Sequence, residues 1–174
     1  TGESRSQSDV KYIGEACKLA RKYFRMVGLE IYPVNTDEYD LVFSIDVASP
    51  AQLGELSSII DKIDFMIDHH AMGEAFADNY IDPTASAAGE IVFRIYDELK
   101  ARGTTGIVPE AARKMYTAIV SDTGSFKFSN TTEDTHKIAA ALLSEINSAD
   151  DGGASTTDLC RKLFGQRTLS ELYA

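Results

Sequence analysis

Apolar positions along this chain follow two periods. From Asp9 to Val27 they fall at Val10, Ile13, Ala16, Cys17, Ala20, Phe24 and Val27, the spacing of one helical face. Gly28 follows, where a helix end favours glycine. The Ser-rich stretch from Thr1 to Ser8 reads as a loop or an altered strand end. Leu29 to Val34 alternates and predicts a strand, placed near a sheet edge because Pro33 has no N–H to donate. Leu41-Val42-Phe43-Ser44-Ile45 is a near-continuous apolar run ending in Asp46, which predicts a strand covered on both faces. Gln52 to Lys62 predicts a short helix. Ile63 to Ile67 predicts a second buried strand, ending in Asp68.

Two buried strands with a helix between them predict a βαβ unit, and hence an α/β chain. Parallel strands place both carboxyl ends on one edge of the sheet. Ligands of such sheets bind at that edge. Asp46 and Asp68, 22 residues apart, thereby become parts of one candidate site. Ala71 to Asp82 reads as loop. Pro83 to Ala101 predicts a helix with Ala87, Ala88, Ile91, Val92, Ile95 and Leu99 on its apolar face. Thr84 and Ser86 at its start either cap it or frame an anion with outward N–H groups. Gly103 to Val108 reads as a turn-rich loop. Pro109 to Val120 predicts a helix opened by proline. In Ser121 to Thr132, an acid, hydroxyls, Gly124 and Lys127 suit either a phosphate-facing loop or a solvated turn. Glu133 to Ile146 predicts a helix carrying an exposed His136. A surface loop over Asn147 to Ser155 and a helix over Thr156 to Phe164 follow, and Thr168 begins a further helical stretch.

With 174 residues, 44% of them hydrophobic and 25% charged, the chain predicts one globular domain, or a domain and a short tail. No run of about 18 apolar residues is present, so no membrane contact is expected. The formal net charge of −10 argues against gripping long nucleic acid. It permits a small phosphate substrate where a bound cation supplies the positive charge. Cys17 and Cys160 lie in helix-like segments and outside any metal or redox motif. They read as buried free thiols, which fits a cytoplasmic setting.

The densest chemistry is Asp68-His69-His70, directly after Phe65-Met66-Ile67, and it holds two of the three histidines. Neighbouring side chains on a strand diverge, but a turn at the strand end lets them converge. Polar residues also close strands simply because a loop follows. Asp46 at a strand end, Asp68-His69-His70, Asp122-Thr123-Gly124-Ser125-Phe126 and Asn130-Thr131-Thr132 with the helix after it together resemble motifs II, III and IV of the DHH phosphoesterase family. The closest pattern is the branch of nanoRNase/pAp phosphatases and cyclic-di-AMP phosphodiesterases. The resemblance runs from roughly Ile13 to the C-terminus. It implies a Rossmann-like parallel sheet flanked by helices, in a single DHH-type catalytic domain. It also implies a pair of Mn²⁺ ions, with Mg²⁺ or Co²⁺ as alternatives. Oxygen and nitrogen ligands without thiolate independently suit such ions.

By that resemblance Asp46 bridges the metals, His69 and Asp122 complete one of them, and Asp9 serves the other. Asp68 holds the adjacent imidazole. His70 faces the substrate phosphate, stabilising charge or handling a proton. Lys127 and Ser86 are the candidate phosphate-binding side chains. The departure is at motif I, where family members carry a histidine and then Asp-x-Asp. Aligned on Ile13-Gly14, the aspartates fall on Asp9 and Lys11, and the histidine falls near Arg5. Two ligands have become cationic, which weakens the second metal position. Nothing after Thr168 resembles the family's glycine-rich C-terminal domain. The chain is therefore expected to be an isolated N-terminal domain or a shortened member. Two functions follow: a metal-dependent phosphoesterase acting on short nucleotides (an oligonucleotide, a cyclic dinucleotide or pAp), or a degenerate relative that binds a nucleotide or a protein partner. A homodimer is left open.

Overall fold

Three strands run in one direction: β3 (Phe43–Ile45), β4 (Phe65–Asp68) and β5 (Asp78–Ile81), in the order β3-β4-β5. The computed structural model describes residues 10–11, 31–32, 39–103, 107–149 and 152–164. Arg5, Asp9, Cys17, most of the expected first helix and the stretch from Thr168 lie outside the described residues. The part of that helix that is described is extended. Val10–Lys11 forms β1, paired in parallel with β2 (Ile31–Tyr32), and Val10 stands opposite Ile31. β-branched residues suit such a pairing better than a helix.

The predicted βαβ unit is present. Ile45 pairs with Ile67 in parallel register, and Pro50–Lys62 makes the crossover. The crossover is a 3-10 segment rather than a plain α-helix, broken at Gly54, whose φ of 55° departs from any helix. β5 lies in a stretch expected to be loop. Its residues Asp78, Asn79 and Tyr80 are exposed, so side-chain periodicity carries no trace of it. Backbone pairing with β4 makes the strand. β3 also corrects an expectation. Ser44 is buried while Phe43 and Ile45 stand 52% and 48% exposed. Among the described strands β3 ends this sheet, and the apolar contact of Ile67 with Ala85 and Ile91 covers β4 instead.

Among the described residues, four α-helices accompany the sheet: α1 (Ala88–Ala101), α2 (Pro109–Asp122), α3 (Glu133–Ser148) and α4 (Thr156–Phe164). α1 begins five residues later than its apolar spacing suggested, because Asp82 draws Thr84 into a local turn and Ala87 is extended. α3 opens on a capping box in which Thr132 and Thr135 each accept the other's backbone N–H. Ile119, Val120 and Leu142 are fully buried between α2 and α3. Each contributes about 1.5–3 kcal/mol by leaving water. Among the described residues, no helix is long and apolar enough to cross a membrane. Cys160 is a free, partly buried thiol.

Gly89 sets the approach of α1 to α2. A Cβ there would stand 2.9 Å from the Met115 carbonyl oxygen and 3.1 Å from the Ala118 Cβ. Gly89→Val is expected to destabilise the fold by about 1–3 kcal/mol through overpacking, read as a lowered denaturation midpoint.

Candidate metal centre

The candidate site is built at the carboxyl ends of β3 and β4. Asp46 follows β3 with φ 65°, in the left-handed region that Asp tolerates better than most residues. Its N–H donates to the Ile67 carbonyl at 2.9 Å, extending the ladder by one step while its side chain turns off the strand. His69 follows β4. Its Nε2 lies 3.3 Å from Asp46 Oδ1 and 3.5 Å from Asp122 Oδ2. Its Nδ1 faces the Ala85 carbonyl at 3.3 Å. A carbonyl and a carboxylate only accept, so both ring nitrogens face acceptors; with an ion on Nε2, the ring's remaining proton sits on Nδ1 and points to the Ala85 carbonyl.

Asp122 is the last residue of α2, not a loop residue. The turn after it holds three successive left-handed residues, Gly124, Ser125 and Phe126, with φ of 54°, 59° and 63°. Only glycine adopts that conformation without penalty. The turn is secured from beneath. The buried Thr123 hydroxyl donates to the Ile119 carbonyl at 2.6 Å and accepts the Phe126 N–H at 3.0 Å. Asn130 bridges further, donating to the carbonyls of Ser86 and Asp122, each at 3.1 Å.

His70 completes the cluster. Its Nδ1 donates to Asp68 Oδ1 at 2.8 Å, and the same oxygen accepts the His69 N–H at 2.8 Å. Asp68 is buried, whereas His70 is 43% exposed and keeps Nε2 free of this bond. Donor atoms of Asp46, His69 and His70 all lie within 4.8 Å of one another. Two carboxylates converging on one imidazole nitrogen form an oxygen-and-nitrogen donor set that fits a divalent cation. The local electrostatics agree. The hydrogen bond to Asp46 raises the His69 pKa against the effect of burial. The same bond holds the Asp46 carboxyl below its ordinary range. Burial, then the Asp46 charge, pushes Asp122 up.

The other expected site residues fall differently. Lys127 is exposed on the turn after Asp122. Ser86 corrects an expectation, because its hydroxyl is buried and donates to Glu90 rather than facing a ligand or capping α1. Thr84 bonds Asp82. Asp9 lies outside the described residues. His136 is exposed, as expected, and stacks on Phe126 with ring centroids 5.3 Å apart. The Ala85 carbonyl and the Asn130 bridge escaped the sequence reading. A carbonyl has no sequence signal, and an asparagine in a turn has many uses.

No family model matches the chain. Its curated relatives are more informative. It is 40% identical over 78 residues to the bifunctional oligoribonuclease and PAP phosphatase NrnA of Bacillus subtilis, covering 44% of this chain and 25% of that protein. It is 32% identical over 115 residues to the probable bifunctional oligoribonuclease and PAP phosphatase NrnA of Streptococcus mutans, covering 63% of this chain and 35% of that protein. The chain is a relative of the DHH phosphoesterases. An exopolyphosphatase-related protein from Bacteroides fragilis has the same fold, with a TM-score of 0.65 and 27% identity over 79% of this chain and 39% of that one. The matched stretch thus spans between a quarter and about a third of these curated DHH relatives.

A divalent ion held by His69 Nε2 must displace a proton whenever the ring is charged. The raised His69 pKa moves that competition above the ordinary imidazole range. Lowering the pH from about 8 to about 5.5 is therefore expected to weaken Mn²⁺ binding, approaching about tenfold per unit below the His69 pKa. Calorimetry across buffers would read both the loss of affinity and the proton released.

Proposed function

We propose that this chain is the metal-binding part of a phosphoesterase that hydrolyses short phosphorylated nucleotides. The observation that carries this reading is the convergence of Asp46 and Asp122 on His69 Nε2 at 3.3 and 3.5 Å, beside an Asp68-held His70. The NrnA relatives, named as oligoribonucleases and PAP phosphatases, support the substrate class. Asp46, His69 and Asp122 hold the ion, with Mn²⁺ proposed and Mg²⁺ or Co²⁺ compatible with the same donors. When bound, it supplies positive charge to the phosphate oxygens and makes a water more acidic.

The protein's own groups do the rest. Asp68 anchors Nδ1 of His70 and leaves Nε2 toward solvent, where it can hold a phosphate oxygen or pass a proton to the leaving oxygen. Lys127 and the Asp122 turn form the proposed rim for the substrate phosphate. The net charge of −10 favours a small substrate neutralised inside the site over a long polyanion. A second reading rests on Arg5 and Lys11, which occupy the motif I ligand positions by alignment. Under it the site binds one ion and a nucleotide without turnover.

Hydrolysis of a 5′-phosphorylated dinucleotide, pAp, cyclic-di-AMP and pyrophosphate with Mn²⁺ or with chelator separates these readings. Mn²⁺-dependent release from a nucleotide is expected, falling by at least about a hundredfold in His69→Ala, Asp122→Asn and His70→Ala. Mn²⁺ binding without release from any substrate would favour the second reading. Absence of Mn²⁺ binding would remove both.

A further inference from the structure

The segment that presents the Ala85 carbonyl to His69 is tied down by a polar chain running through the start of α1. Glu90, fully buried in the first turn of that helix, accepts the Ser86 hydroxyl and faces Arg94 Nη2 at 3.4 Å. Arg94 Nη1 donates to Asp82 Oδ2 at 2.6 Å. The other Asp82 oxygen accepts the Thr84 N–H at 2.9 Å and the Thr84 hydroxyl at 2.6 Å. The Asp82 N–H donates to the Asp68 carbonyl at 3.0 Å, and its carbonyl accepts the Ala85 N–H at 3.1 Å. Ala85 therefore lies between two anchors, Asp82 and Ser86, joined through Arg94 and Glu90. The Ser86 carbonyl also accepts from Asn130, which holds the Asp122 carbonyl.

A carboxylate fully buried at a helix start costs several kcal/mol unless paired. The chain spans the distance between the α1 interior and both the His69 and Asp122 sides of the site. From this geometry we propose that Glu90, Arg94 and Asp82 are positioning residues. They fix the Ala85 carbonyl as the acceptor for His69 Nδ1, which holds the ring with Nε2 turned to the ion. The inference rests on reading Asp46, His69 and Asp122 as a metal centre. It adds residues to that centre which never touch the ion.

The test uses Glu90→Gln and Asp82→Asn, each close to the native shape, in the full chain. Ring ¹⁵N shifts of His69 are recorded with diamagnetic Mg²⁺ bound, alongside Mn²⁺ titration and thermal melting. The native protein is expected to show Nε2 on the ion and a hydrogen-bonded Nδ1–H. The variants are expected to weaken that Nδ1–H bond and to bind Mn²⁺ about 10–100-fold more weakly. Variants that melt like the native protein yet keep its Nδ1–H bond and its affinity would overturn the proposal and leave the network a structural brace. Where Glu90→Gln does not fold, Asp82→Asn decides, because Asp82 is partly exposed and its loss empties no core. A native protein that binds no Mn²⁺ would defeat the metal reading itself, an outcome distinct from variants that match the native affinity.

Discussion

The parallel register of β3 against β4 is the constraint on which the site depends. Ile45 faces Ile67, and the Asp46 N–H closes on the Ile67 carbonyl. That single extra backbone bond places the end of β3 level with the end of β4. Asp46 then reaches the ring of His69 although 23 residues separate them in the chain. A slip of one residue would reverse every side chain on β3 and carry Asp46 away from His69. The left-handed φ of Asp46 completes the placement, at a cost of order 1–3 kcal/mol for a non-glycine residue.

Several unfavourable local choices accumulate around this edge. Two acids crowd one imidazole, Asp68 and Glu90 are buried, and Ser125 and Phe126 follow Gly124 into left-handed backbone. None of these aids folding by itself. The helical layer offsets them, with Ile119, Val120 and Leu142 wholly withdrawn from water. It also carries Asp122, the last residue of α2, a helix that packs closely on α1 at Gly89. Stability and chemistry are thus divided between the helices and the strand edge. A cation-sized concentration of negative charge persists because the core supports it.

Much of the site was legible in the chain. Asp46 and Asp68 stand at the ends of apolar runs, His69 and His70 follow without a spacer, and Asp122 precedes a glycine turn. The helices α2, α3 and α4 were legible from their 3.6 period and from the opening Pro109 and Thr132. Less was legible where side chains do not report the backbone. β5 consists largely of exposed residues, so nothing in its polarity marks a strand. Pro83 to Ala87 shares the apolar rhythm of α1 but is bent by Asp82 bonding to Thr84. Ser86 looked like a ligand for an anion because it is a hydroxyl near a helix start. Its burial against Glu90 depends on a neighbour one helical turn away.

By itself the sequence determined the α/β class, the βαβ crossover and the identity of the residues able to bind a cation. Those follow from periodicity and from side-chain chemistry, which are local properties. Tertiary structure alone decided how near Asp46 and Asp122 come to His69 Nε2, that Nδ1 of that ring turns to the Ala85 carbonyl, and that Phe43 and Ile45 of β3 stand exposed. Register, ring orientation and burial each depend on groups distant in the chain, and no single stretch of sequence contains both partners of such a contact.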